Sequence, residues 1–101
     1  MPRLEFGSWE HFRVWLESQV KKYNKVYKLY LTEHQEVIAM PVTSTRPTEY
    51  GYYNFEHETG EVKEGIVKLV QELASKLRLD LFRIKEIAWN AEREPRIKSE
   101  E

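Results

Sequence analysis

The sequence predicts a single α+β domain: a small antiparallel sheet of three to four strands, with an N-terminal helix and C-terminal helices packed on one face. Three observations carry this prediction. Apolar residues step by three and four towards both ends of the chain and alternate in its middle. The strand-like segments follow one another in a block, without the strand–helix repetition that builds parallel sheets. Finally, 101 residues suit one domain and leave no room for a second. That domain is expected over residues 1–91, with 92–101 a charged, frayed tail containing Pro95.

The first element is a helix from about Trp9 to Tyr23. Ser8 can cap it, because its hydroxyl accepts an amide hydrogen from the open first turn. Trp9, Phe12, Leu16, Val20 and Tyr23 form one apolar stripe. Lys21 and Lys22 complement the dipole of the last turn, and Asn24 is a suitable left-handed terminator. From Lys25 to Thr32 the period becomes two: Tyr27, Leu29 and Leu31 alternate with Val26, Lys28, Tyr30 and Thr32. Glu36 to Val42 returns as the second arm of a hairpin, with Pro41 marking an early end or an edge. Thr43 to Thr48 reads as a loop, and Glu49 to Glu56 as a third strand. Glu58-Thr59-Gly60 signals a turn, after which Glu61 to Lys63 is expected as a short fourth strand. Ile66, Leu69, Val70, Leu73, Ala74 and Leu77 define a helix from about Glu64 to Leu79. Asp80 can cap a last helix through Leu81, Ile84, Ala88 and Ala91, with an alternating strand over Leu81 to Ala88 as the competing reading.

Composition excludes several classes. Thirteen aromatic residues are too many for a disordered chain. The longest apolar run, Val37 to Met40, falls far below the roughly 20 residues of a spanning helix, so no membrane partner is expected. No cysteine is present, which removes disulfides, thiolate zinc sites and cysteine nucleophiles together. With no signal-peptide pattern, the cytoplasm is the default compartment. Charged residues reach 33% while Asn and Gln total six, a balance typical of proteins from thermophiles.

The feature that most invites chemistry is the tyrosine density of the strands. Alternation places Tyr50 and Tyr52 on one face and Tyr53 and Phe55 on the other. With helices on one face only, Tyr30, Tyr50 and Tyr52 are candidates to stack unpaired bases. Arg13, Lys21, Lys22, Lys25 and Lys28 form a basic run beside them, suited to phosphates. A plainer account takes the tyrosines as good strand formers and the lysines as a solvated helix end. Glu49, Glu56, Glu58, Glu61 and Glu64 would repel phosphates unless they gather at the far end of the sheet. His57 stands between Glu56 and Glu58, yet neighbours on a strand point to opposite faces, so no metal site is expected there. No nucleophile elbow, phosphate-cradling glycine loop or helical pair of histidines appears, so neither enzyme activity nor a cofactor is expected. At the C-terminal end, Phe82 and Trp89 are candidates for a homodimer interface.

Taken in order, Leu4 to Leu16, Lys25 to Thr32 and Tyr50 to Phe55, followed by a leucine-rich helical C-terminus, resemble the ThermoDBP-related proteins, archaeal single-stranded DNA-binding proteins. The resemblance covers nearly the whole chain in element order and includes no diagnostic motif. It implies a sequence-tolerant grip on unpaired strands through basic, aromatic and apolar residues, with assembly through C-terminal contacts. The expected function is therefore binding of single-stranded DNA or RNA without catalysis. The rival is a protein-interaction or assembly module that uses the same tyrosines or the Phe82/Trp89 surface.

Overall fold

Ahead of the first helix, four residues already form a strand. In the computed structural model, which describes residues 3–42, 49–88 and 96–99, Arg3–Phe6 (β1) leads through Gly7 and Ser8 into Trp9–Lys21 (α1). The Ser8 hydroxyl accepts the His11 amide at 3.3 Å, as its position predicts. Tyr27–Thr32 (β2) and Glu36–Pro41 (β3) form the expected hairpin, and Tyr50–Asn54 (β4) is the expected third strand. Gly60–Leu77 (α2), Leu81–Ala88 (β5) and Arg96–Ser99 (β6) complete the order.

All six strands belong to one sheet in the order β1-β4-β3-β2-β5-β6. Its centre, β2–β3–β4, is an antiparallel meander. β1 joins β4 in parallel and β5 joins β2 in parallel, so the sheet is mixed rather than antiparallel. Both helices lie on one face, as expected. There, Phe12 and Leu16 of α1, and Val70 and Leu73 of α2, close over Tyr27, Leu29, Leu31, Val37, Ala39 and Tyr53 of the sheet. Removing each such side chain from water contributes roughly 1.5–3 kcal/mol, and this layer is the main core. Its rings interlock: Phe12 lies 5.8 Å from Trp9, 6.2 Å from Trp15 and 6.4 Å from Tyr53, centre to centre. Gly51 lets α1 approach β4, because a Cβ there would run into the Trp15 ring.

Three expectations need correction, and one strand, β1, was not expected. Glu61 to Lys63 is not a strand but the first turn of α2, which begins at Gly60 with a backbone φ of +54°. Leu81 to Ala88 is a strand and not a helix, because pairing beside β2 satisfies its backbone and buries Ile84. Arg96–Ser99, expected within a frayed tail, pairs antiparallel with β5. β1 carries too little local signal to be read in isolation, and it is fixed by its register with β4. The expected loop at Thr43 to Thr48 and the candidate interface residue Trp89 lie outside the described residues.

Candidate functional site

Period-two alternation sends the even-numbered residues of β2, β3 and β4, and Phe82 and Ile84 of β5, to the face that no helix covers. Register aligns them in rows across the sheet. Glu5, Tyr52, Ile38, Tyr30 and Phe82 form the middle row, since Glu5 pairs with Tyr52, Tyr52 with Ile38, Ile38 with Tyr30, and Tyr30 with Phe82. On one side of this row stand Arg3, Tyr50, Met40 and Lys28. On the other stand Asn54, Glu36, Thr32 and Ile84.

Two aromatic positions organise the face. Tyr30 stacks on Phe82 with ring centres 5.3 Å apart and planes 24° apart, and the Lys28 ammonium lies 5.7 Å from the Phe82 centroid. Phe82 remains 40% exposed, so this pair offers an apolar ring surface beside a cation. At the second position the Arg3 guanidinium sits 4.4 Å over the Tyr52 ring, and Arg3 also pairs with Glu5 at 2.6 Å. The Tyr52 hydroxyl donates to Glu36 Oε2 at 2.7 Å, while the Thr32 hydroxyl donates to Glu36 Oε1 at 2.8 Å. Ile38, Tyr50 and Ile84 are buried, with Tyr30, Met40 and Tyr52 packed against them, and form a second small core.

The face therefore unites Lys28, Tyr30 and Tyr52, as the sequence predicts, but Tyr50 is only 5% exposed and presents no ring to a ligand. The expected basic groove divides. Arg13 lies on α1, on the opposite layer, and is held by Glu10 and Glu17, the latter at 2.6 Å. Together these carboxylates raise the Arg13 guanidinium above its ordinary pKa, so its charge is already matched. Lys21 and Lys22 end the same helix, and Lys25 stands in the connection to β2. Phe82, expected at a helical dimer surface, belongs to the sheet face instead because β5 is a strand. Sequence reasoning missed Arg3 for the same kind of reason. Only the pairing of β1 with β4 brings it over Tyr52.

Charge is polarised along the strands. β2 ends at Thr32 where β3 begins at Glu36 opposite Asn54, so Glu33, Glu36, Glu56 and Glu58 gather at one end with Lys85. Arg3, Lys25 and Lys28 stand at the other end, with Glu49 and Asp80 as the acids beside them. Burial pushes the phenols of Tyr30, Tyr50 and Tyr52 above their ordinary pKa. For Tyr52 the Glu36 carboxylate adds to that push and the Asn54 amide opposes it. These rings are neutral at physiological pH and neither repel nor attract phosphate.

Among the described residues no three His, Asp or Glu side chains gather to hold a metal, and no helix is long and apolar enough to cross a membrane. No protein-family model matches the chain, and neither does any curated protein or solved structure.

Proposed function

We propose that this protein binds single-stranded nucleic acid through the helix-free face of its sheet, without catalysis. The observation that carries the reading is the Tyr30–Phe82 stack beside Lys28 on adjacent strands. An open sheet face with exposed rings is how several RNA-binding folds receive unstacked bases, and each base–ring stack is worth roughly 1–3 kcal/mol. Duplex bases offer no free ring face, so only unpaired strands qualify. Lys28 is the cation placed to meet phosphate, with Arg3 beside it once released from Glu5, and the acids of the sheet lie mainly towards its other end. The resemblance to the ThermoDBP-related proteins points the same way.

Fluorescence anisotropy with a labelled mixed-sequence oligonucleotide, single-stranded and then duplex, at two salt concentrations, tests the proposal. The single strand binds and the duplex does not. Tyr30→Ala and Phe82→Ala each weaken binding by about 1–3 kcal/mol. With only one or two cations on the face, the logarithm of affinity falls with that of salt at a slope near −0.7 per phosphate contacted, about −1 in all.

One observation favours a protein partner instead. Within the face, Arg3 and Lys28 are balanced by Glu5 and Glu36. Absence of binding to either nucleic acid at low salt would reject the proposal and leave this aromatic face as a protein-docking surface.

A further inference from the structure

The helix-free face does not stop at Lys28. Continuing the alternation, Val26 and Val42 lie beside one another past the end of the strands, where the Val42 amide donates to the Val26 carbonyl at 3.0 Å. Both are exposed, at 52% and 41%. Three residues before Val26 stands Tyr23, 55% exposed. Three residues of chain reach at most about 10 Å, so the Tyr23 backbone stands no farther than that from Val26, at the same end of the sheet.

The segment carrying Tyr23 is fixed rather than loose. Its amide donates to the Ser18 carbonyl at 3.2 Å, and the Lys25 amide donates to the Gln19 carbonyl at 3.0 Å. Between them Asn24 takes the left-handed conformation with φ 57°, which Asn tolerates better than most residues. On the neighbouring strand the Tyr27 hydroxyl donates to Gln19 Oε1 at 3.3 Å and ties the helix end to the sheet. The Lys22 ammonium lies 5.5 Å from the Tyr23 centroid, and Lys25 follows two residues later, exposed. An exposed ring thus stands beside the Lys22 ammonium on a hydrogen-bonded backbone, with Lys25 two residues on, at the basic end of the sheet.

We propose that Tyr23, with Lys22 and Lys25, is a second stacking station, onto which a single strand passes from the Tyr30–Phe82 pair across the Val26–Val42 step. The inference rests on the nucleic-acid reading of the sheet face and deepens it. It gives the bound strand a direction of exit, away from Glu33, Glu36, Glu56 and Glu58 and towards the lysines. It also gives Lys22 and Lys25 the role of phosphate ligands, which Arg13 cannot take while Glu10 and Glu17 hold it. A ring and its flanking cations supply one more base stack and about two more phosphate contacts.

The test compares oligothymidylates of about 4 and about 12 nucleotides, lengths at the lower and upper parts of the range for one binding domain. Tyr23→Ala weakens binding of the longer strand about fivefold or more and leaves the shorter unchanged, while Tyr23→Phe restores it. Lys22→Gln with Lys25→Gln makes the salt slope for the longer strand shallower by about 1.4. Unchanged binding of both lengths by Tyr23→Ala, with Tyr30→Ala still impaired, overturns the second station and leaves the sheet reading standing. Equal weakening of both lengths also overturns it, since Tyr23 would then belong to the first station. If the unsubstituted protein binds neither length, both proposals fail together.

Discussion

The two faces of one sheet are built from the same strands and differ in what each asks of its rings. On the helix-covered face Phe12 meets Trp9, Trp15 and Tyr53, and the surrounding buried residues are uncharged. On the helix-free face two of the accessible rings are partnered by a charge: Phe82, on which Tyr30 stacks, by Lys28, and Tyr52 by Arg3 and, through its hydroxyl, Glu36. Aromatic residues alone therefore do not mark a site. What separates the faces is whether the ring's neighbours are other side chains of the core or groups that water can still reach.

The same truncation on each face gives the sharpest contrast. Phe12→Ala is expected to cost about 3–5 kcal/mol, because a fully buried ring leaves a cavity that α1 cannot close. Urea unfolding would show it, and a loss below 1 kcal/mol would mean the helices are not seated as described. Gly51→Ala comes next, at roughly 1–3 kcal/mol, since the added methyl must displace the Trp15 ring and lift α1 from β4. A neutral result there would show that the approach is looser than the geometry implies.

Alkaline titration tests the point on which the faces agree. Burial raises the phenol pKa of Tyr27 and Tyr53 on the covered face and of Tyr30, Tyr50 and Tyr52 on the other. Their folded pKa values exceed the unfolded one near 10, so the folded state holds these protons more tightly. The stabilisation is complete below pH 10 and is lost as pH rises through the folded values. Phenolate absorbance and urea midpoints followed together should move in step, and ionisation of all five at the ordinary value without loss of stability would contradict their burial.

Phe82→Ala is expected to cost only about 0.5–1.5 kcal/mol, the worth of the stack with Tyr30, while impairing strand binding. A cost as large as that of Phe12→Ala would make Phe82 a core residue and remove it from the site. The smallest effect is expected at Glu17, which receives Arg13 at 2.6 Å and Lys76 of α2 at 3.4 Å. Burial alone would push its carboxyl up, but these two cations outweigh it and hold it below the ordinary carboxylate range. Its contribution is present above the ordinary pKa and fades as pH falls through the lowered one. Glu17→Gln should cost less than about 1 kcal/mol in urea at neutral pH.

What could be read from the sequence was whatever the chain decides locally. The stripe of α1 up to Val20, its Ser8 cap, the left-handed Asn24 and the alternation of β2 and β4 are properties of neighbouring residues. They placed Lys28, Tyr30 and Tyr52 on one face correctly. Tyr23, expected on that stripe, lies past the helix end at Lys21 and is exposed. The start of α2 was misread because Val62 favours strands and Gly60 and Gly65 weaken a helix, yet Ile66, Val70 and Leu73 dock it regardless. β1 and β5 were hidden for a different reason. Their partners, β4 and β2, are some fifty residues away, and a short segment such as Leu81 to Ala88 fits either period until that partner is present. Arg3 and Phe82 entered the site only through those distant pairings. Arg13, Lys21 and Lys22 are absent from the sheet face itself, because proximity in sequence to β2 does not place a helix on the same side of the sheet.

The parallel pairing of β5 with β2 also has a kinetic meaning. The β2–β3–β4 meander joins strands that follow one another in sequence, whereas β5 reaches β2 only across β3, β4 and α2, and the larger loop-closure cost favours its later addition. Tyr30 is therefore expected on its strand before Phe82 arrives beside it. Ring stacking between them becomes a marker of late assembly, and a chain caught short of that step would possess a hydrophobic nucleus and still lack the Tyr30–Phe82 pair.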